Sequence, residues 1–443
     1  MPPLDKPRER ALEILQKVEG GAFADQLIDE MRQSFDRRDS AFILELVYGI
    51  LRNRSRLDWS LNRFSAKAVE TTDAWTRNIL RLAAYQMMFL DRVPVSAAVN
   101  TATALAKVYG KKHGYVNGLL RNLDRKRGTI SFPGPGDPVK RLSVVYSHPA
   151  WLVKRWVRRF GETAAELLLE SNNRPAQFII RTNTLRTSRA ELKASLEAEG
   201  CQAIEAAYSP AGLELPSGPN LQDLSPYRNG WFLVQDQAAQ LISMMLAPQA
   251  GETVLDACAA PGGKATHIAE IMKNRGIVVA LENDLLRIVR LRENSAKLGT
   301  SIIVPTAGDA TRYSGGKFDR ILIDAPCSGL GVLRRHPDGR WNKGETAIME
   351  RRLLQLRILN NCAGLLKPGG ICVYATCTTE PEENEDVVTQ FLSGAGGEFV
   401  IDDPRPFLPE RARSFVDGHG FFRTYPQAPE MDGFFGARII RES

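Results

Sequence analysis

From residue 253 onward, short β-branched runs bounded by glycine, proline or acids alternate with stretches of helical period. The runs are Thr253-Val254-Leu255-Asp256, Ile277-Val278-Val279-Ala280-Leu281-Glu282, Ile302-Ile303-Val304, Arg320-Ile321-Leu322-Ile323 and Ile371-Cys372-Val373-Tyr374-Ala375. Helices are predicted from Lys264, over Leu285 to Leu298, and over Thr346 to Leu366, the last closed by Lys367-Pro368-Gly369-Gly370. Strands in strict alternation with helices bury both faces of a sheet by crossing over it, so the pattern predicts a doubly wound parallel α/β sheet. In such sheets the residues just past the strand ends line the ligand crevice.

Two of those strand ends run into cysteines: Asp324-Ala325-Pro326-Cys327-Ser328-Gly329 and Thr376-Cys377-Thr378-Thr379-Glu380-Pro381-Glu382-Glu383-Asn384. A thiolate is a strong nucleophile that needs no metal, provided a nearby positive charge or base favours its ionised form. Such thiols suit attack on a pyrimidine ring. The plainer fate of a free cysteine is that of a small buried hydrophobe, and Cys372, inside its strand and of opposite parity to Cys377, is expected to follow it. The six cysteines show no C-x-x-C pair, and five histidines are too few to complete a zinc site beside them. Reduced thiols and no metal are expected, in a reducing compartment.

After the first strand the chain reads Asp256-Ala257-Cys258-Ala259-Ala260-Pro261-Gly262-Gly263-Lys264. Small residues let the backbone approach a ligand while the next helix offers free N–H groups. The loop matches neither G-x-G-x-x-G nor G-x-x-x-x-G-K-[ST], which favours a nucleotide-like cofactor without a diphosphate. Glu282, 20 residues beyond Gly262 at the end of the second strand, is placed to bridge two ribose hydroxyls. Asp309, after the third strand, is placed to accept from an amino group on a base. Helix caps and turns are the alternative use of either acid.

The first 125 or so residues have helical period throughout, as in Ala11 to Val18, Ala41 to Tyr48 and Ile79 to Met88. A last helix around Gly114 to Asp124 is flanked by Lys111, Lys112, Arg121, Arg125, Lys126 and Arg127. The first 130 residues hold 22 basic against 15 acidic side chains, which accounts for the whole net charge of +7 and fits a polyanionic partner. Ser131-Phe132-Pro133-Gly134-Pro135-Gly136-Asp137-Pro138 reads as a linker, set at 131–142. Residues 143–240 then mix one helix near Trp151 to Ser171 with short strands, a small α+β module. That helix carries Lys154, Arg155, Arg158 and Arg159 beside Trp151 and Trp156, which serve either nucleic-acid contact or the core. No apolar run spans a membrane, and the start, Met1-Pro2-Pro3-Leu4, lacks a signal-peptide core; a cytoplasmic protein is expected.

The runs Asp256 to Lys264, Asp324 to Gly331 and Tyr374 to Glu385 together resemble the RNA 5-methylcytosine methyltransferases that use S-adenosylmethionine. The helical part, through Val116-Asn117-Gly118-Leu119-Leu120-Arg121, is similar to the RNA-binding NusB fold. The resemblance implies three parts: an all-α NusB-like domain at 1–130, the α+β RNA-binding module at 143–240, and a Rossmann-like methyltransferase domain at 241–443. It implies cofactor contacts from Cys258, Ala259, Ala260, Pro261, Gly262, Gly263 and Lys264, with Glu282 on the ribose, Asp309 near the adenine and Asp324 near the methyl donor and target base. It also implies Cys377 as nucleophile and Cys327 as the thiol that assists product release, an order that spacing alone leaves open. Asp324 in its protonated form would hydrogen-bond the ring nitrogen. Glu282 stands where a shorter Asp is frequent, and Thr378-Thr379 where Ser is common. A small-subunit ribosomal RNA is the implied substrate, its cytosine single-stranded or flipped so that carbon 6 is reachable. Arg340 and Trp341, in His336-Pro337-Asp338-Gly339-Arg340-Trp341, are placed either to contact RNA or to lock a loop. A monomer that does not act on DNA is expected, with a tRNA methyltransferase and a non-catalytic assembly factor as the alternatives.

Overall fold

A computed structural model describes residues 5–31, 34–110, 112–427 and 431–442, so Met1 to Leu4 and Lys111 lie outside the described residues. The chain divides into two compact units, residues 1–175 with 333–345, and residues 176–332 with 346–443.

The first unit is helical. It contains α1 (Lys6–Glu19), α2 (Ala24–Met31), α3 (Arg37–Asn62), α4 (Ala74–Phe89), α5 (Val95–Leu105), α6 (His113–Lys126), α7 (Pro138–Val145), α8 (Ala150–Phe160) and α9 (Glu162–Ser171). Asp5, Asp36 and Asp73 cap α1, α3 and α4 by accepting from backbone N–H groups three residues on. The apolar stripes meet in one core that includes Leu12, Ile43, Val47, Leu80 and Leu120. Arg81 is buried in it and paired with both oxygens of Asp58 at 2.7 Å. Of the basic cluster at the end of α6, Arg127 donates to the Met87 carbonyl at 2.7 Å and so serves the fold.

Two expectations change in this unit, and one open alternative is decided. The 131–142 linker stops at Asp137, whose side chain caps α7 while Pro138 occupies its first turn. The single helix near 151–171 is two, because Gly161 adopts φ +80° between α8 and α9. Trp156 is fully buried, a core anchor rather than a nucleic-acid contact.

Arg340 and Trp341 also belong to this unit, and they lock the loop. The Arg340 guanidinium is fully buried and donates to Ser147 O at 3.2 Å, Asn173 Oδ1 at 2.7 Å and Asn172 O at 3.1 Å. Trp341 Nε1 donates to Leu51 O at 2.7 Å, and Arg54 covers its ring at 4.9 Å. Neither side chain is free to stack on a base.

The second unit holds two sheets. Strands β1 (Ile179–Thr182), β2 (Ile204–Glu205), β3 (Gly212–Glu214) and β4 (Phe232–Val234) form an antiparallel sheet in the order β2-β3-β1-β4, with α10 (Arg189–Ala198) and the short α11 (Ser225–Arg228). These strands and helices α8 and α9, grouped in one module on sequence, fall in different compact units.

After α12 (Gln237–Leu246) come β5 (Thr253–Asp256), α13 (Gly263–Ile271), β6 (Ile277–Glu282), α14 (Leu285–Leu298), β7 (Ile303–Ala307), β8 (Phe318–Asp324), α15 (Glu345–Ala363) and β9 (Leu366–Thr376). Strands β7-β6-β5-β8-β9 are parallel, and the order reverses between β5 and β8, which sets the crevice beside the ends of those two strands. Alternate residues serve the two faces: Val254, Leu322 and Val373 enter one core, Leu255, Ile321, Ile323 and Cys372 the other.

The sheet is mixed rather than purely parallel. After α16 (Glu385–Gly394), strands β10 (Phe399–Ile401), β11 (Phe421–Arg423) and β12 (Phe435–Arg441) extend it, with β12 antiparallel to β9. Lys367-Pro368-Gly369-Gly370 is not a helix-closing loop but an irregularity inside β9, where the register with β8 shifts.

Candidate active site

The ends of β8 and β9 bring the two predicted cysteines together. Cys327 Sγ and Cys377 Sγ lie 3.3 Å apart, both half-buried. The alignment follows from register: Asp324 pairs with Ala375, and Ala325 N donates to Ala375 O at 2.8 Å, so both chains leave the sheet side by side. Beyond the cysteines the loops stay laced. Gly331 N donates to Cys377 O at 3.0 Å, and Gly433 N to Gly331 O at 2.8 Å. A Cβ on Gly331 would lie 2.1 Å from Gly433 O, so only glycine permits this approach.

The thiols differ electrostatically. Cys327 is pushed well above the usual thiol range by its hydrogen bond to Cys377, by burial, and by the charges of Cys377 and Glu383. The two sulfurs are within hydrogen-bond reach of each other, and either can be the donor. The charge of Cys377 is among the groups that raise Lys264, so the two interact electrostatically.

Lys264, expected among the cofactor contacts, bonds Asp324 Oδ2 at 2.6 Å. Burial opposes its charge, yet Asp324 and Cys377 raise the lysine above its ordinary value. Asp324 Oδ2 accepts from the Lys264 ammonium, a contact between the cofactor loop and the end of β8.

The cofactor loop sits at the other side of the crevice. Gly262, at φ +99°, is the residue before α13, and the first turn of that helix opens at Gly263. Glu282 is buried and accepts from Ala260 N at 3.3 Å, Asn283 N at 3.0 Å and Asp284 N at 3.2 Å, so it already braces the loop. Asp309 accepts from Thr311 N at 2.9 Å and Thr311 Oγ1 at 2.8 Å, which holds it below the usual carboxylate range. Beneath the loop, Asp256 is pushed up to about 7 by burial and by the Asp324 charge, with Lys264 opposing. Cys258 is pushed well above the thiol range by burial, Asp256 and Asp324. Asp256, Glu282 and Asp324 stand at the ends of β5, β6 and β8, an acidic set that suits a ligand carrying positive charge better than a diphosphate.

Several residues of this region escaped the sequence reading. Glu383 was visible in the Pro-Glu-Glu-Asn segment but had no evident task; it is buried and bonded to Ser328 and Gln355. Arg181 of β1 reaches α13, donating to Glu270 at 2.8 and 3.1 Å, to Thr266 Oγ1 at 2.9 Å and to Gly263 O at 2.6 Å. No local signal in the sequence couples residues so distant. Among the described residues no His, Cys, Asp or Glu cluster could hold a metal, and no helix is long and apolar enough to cross a membrane.

Comparison with known proteins gives three family matches along the chain: the NusB family over residues 5–125, the ferredoxin-like domain of RsmF/B-like methyltransferases over 148–222, and 16S rRNA methyltransferase RsmB/F over 243–440. The chain is 37% identical to a probable ribosomal RNA small subunit methyltransferase B of Bacillus subtilis, covering 97% of both chains. It is 33% identical to ribosomal RNA small subunit methyltransferase B of Escherichia fergusonii, again over 97% of each. Among solved structures, that of PH0851 is 28% identical with a TM-score of 0.83, covering 100% of both chains.

Proposed function

This chain belongs to the 16S rRNA methyltransferase RsmB/F family, and we propose on that premise that it methylates carbon 5 of a specific cytosine in small-subunit ribosomal RNA through a covalent cysteine–cytosine intermediate, with S-adenosylmethionine as donor. The carrying observation is the pair of thiols 3.3 Å apart beside the Lys264–Asp324 ion pair.

Carbon 5 of cytosine is a poor nucleophile. Addition of the Cys377 thiolate to carbon 6 gives carbon 5 enamine character and divides a hard step into easier ones. Asp324, carrying a proton when it acts, would donate it to the ring nitrogen as negative charge develops there, with Lys264 as its neighbouring cation. S-adenosylmethionine, when bound, supplies the electrophilic methyl group. The loop from Cys258 to Lys264, Glu282 toward the ribose and Asp309 toward the adenine are the residues that would hold it. Once a base has taken the carbon 5 proton, the C6–S electron pair returns to Cys377. The Cys327 S–H is the donor for that departing sulfur.

The target cytosine must leave its stack for sulfur to reach carbon 6. The positive helical part at 1–130 and the module at 143–240 are assigned to RNA binding, the segment at 131–137 to the connection that precedes α7, and 241–443 to catalysis. A monomeric cytoplasmic enzyme without action on DNA completes the reading.

The test is bisulfite mapping of ribosomal RNA from cells with and without the protein, alongside purified small-subunit rRNA and tRNA offered with labelled S-adenosylmethionine. One cytosine of the small-subunit rRNA should lose its mark when the protein is absent. Label entering tRNA instead would transfer the assignment to a tRNA enzyme, and label in neither RNA would leave a binding factor. Cys377→Ala should abolish turnover, whereas Cys327→Ala should trap a protein–RNA adduct; the reverse pattern exchanges the two roles.

A further inference from the structure

Glu383 follows Cys377 by one short turn, Pro381–Glu383, and no step above uses it. It is fully buried. Its carboxylate accepts from Ser328 N at 2.7 Å, from the Ser328 hydroxyl and from Gln355 Nε2 at 3.0 Å. The same Gln355 amide donates to Pro326 O at 3.0 Å. Behind it, Tyr374 of β9 donates its hydroxyl to the Glu383 carbonyl at 2.6 Å. Burying a carboxylate is costly unless its lone pairs are answered; here two of the three donors come from the turn that carries Cys327 and the third from Gln355 of α15, which also holds that turn. Ser328, the residue after Cys327, also lies 2.8 Å from Thr378 Oγ1, the residue after Cys377.

We propose that Glu383 is a positioning residue for product release: it clamps the Pro326–Ser328 turn so that the Cys327 S–H stays aimed at the Cys377 sulfur. The idea rests on the covalent reading given under Proposed function. When the C6–S bond breaks, its electron pair goes to Cys377 Sγ, and the Cys327 thiol donates a hydrogen bond to the forming thiolate without itself being oxidised or alkylated. Displaced by an ångström, that donor is lost at this step alone. Addition and methyl transfer depend on Cys377 and Asp324, whose strand ends stay in place. The charge of Glu383 adds to the effect, since it is among the groups that keep Cys327 protonated.

Full-length wild type, Cys327→Ala, Glu383→Gln and Glu383→Ala would be incubated with small-subunit rRNA and labelled S-adenosylmethionine, then run on denaturing gels. Glu383→Gln keeps the shape and an acceptor for Ser328 N, and guards against a Glu383→Ala chain that does not fold. Expected for Glu383→Gln is a labelled protein–RNA adduct like that of Cys327→Ala and turnover lower on the order of 10²-fold, the scale of a misplaced catalytic group. Cofactor affinity and melting temperature should stay near wild type. Wild-type turnover without adduct overturns the proposal, as does parallel loss of cofactor affinity and methyl transfer, the mark of a merely structural residue. A second readout needs no RNA: in a Cys377→Ser background, iodoacetamide alkylation of Cys327 should move to lower pH with Glu383→Gln, and an unmoved profile also overturns it. If wild type methylates nothing and Cys327→Ala traps nothing, the covalent reading itself falls and takes this proposal with it.

Discussion

Cys327 and Cys377 carry the same side chain in opposite circumstances. Across the 3.3 Å between them, Cys327 feels the charge of Glu383 while Cys377 interacts with the Lys264 ammonium. Their position at strand ends was readable from the sequence, because a β-branched run stopping at a proline or threonine marks the rim of a sheet. The difference between them was not, because it depends on Lys264, 60 residues from its partner Asp324. Asp256 offers a separate test. Burial and the Asp324 charge raise it from 3.8 to about 7, so between those values the native state holds a proton that the unfolded chain has released. Its neutral form therefore supports stability fully below about pH 4, and that contribution is lost as pH rises toward 7. Asp256→Asn mimics the neutral form at every pH. Urea unfolding from pH 4.5 to 7.5, values spanning that window, should show wild type losing stability relative to the variant; a constant difference would mean that Asp256 is not the titrating group.

Among elements, agreement was closest where one signal dominated. The helix over Leu285 to Leu298 has its predicted bounds, with Asp284 as cap and Gly299 in the left-handed conformation after it. Asp137-Pro138 carried an equally legible cap, but the surrounding glycines and prolines outweighed it in a linker reading. Strands β10, β11 and β12 pair antiparallel beyond β9 and lack the strict helix alternation that marks the parallel strands in the sequence. The tie between β1 and α13 belongs to this scale too. Arg181 is fully buried and answers both oxygens of Glu270 while also gripping the Gly263 carbonyl where the cofactor loop passes into α13. Arg181→Ala would leave Glu270 buried without its counter-charge, a loss on the order of 3–5 kcal/mol. Denaturant unfolding should register that loss and cofactor affinity should weaken with it; a variant as stable as wild type would show that water or Gln235 replaces the pair.

At the scale of the whole molecule, the helical unit is not contiguous in sequence. Residues 333–345 belong to it, held through Arg340 and Trp341, although they follow the Cys327 turn in the chain. Arg340→Ala strips donors from the carbonyls of Ser147 and Asn172, and each buried group left unanswered costs roughly 1–3 kcal/mol. Hydrogen exchange on the full chain should then show faster opening of α9 and the middle of α3. Change confined to 333–345 would mean the loop is a passenger. The amino-acid sequence by itself determined the alternation that makes the parallel sheet, the helical period of the first part, the regional positive charge and the strand-end cysteines and acids, because each is local in the chain and follows from periodicity or from what may sit at a strand end. Which side chains answer one another was decided only by tertiary structure: Lys264 with Asp324, Glu383 with Ser328, Arg181 with Glu270, and Arg340 with the carbonyls that exclude it from RNA. A buried charge must find its partner wherever folding brings one, and the distance along the chain carries no record of that choice.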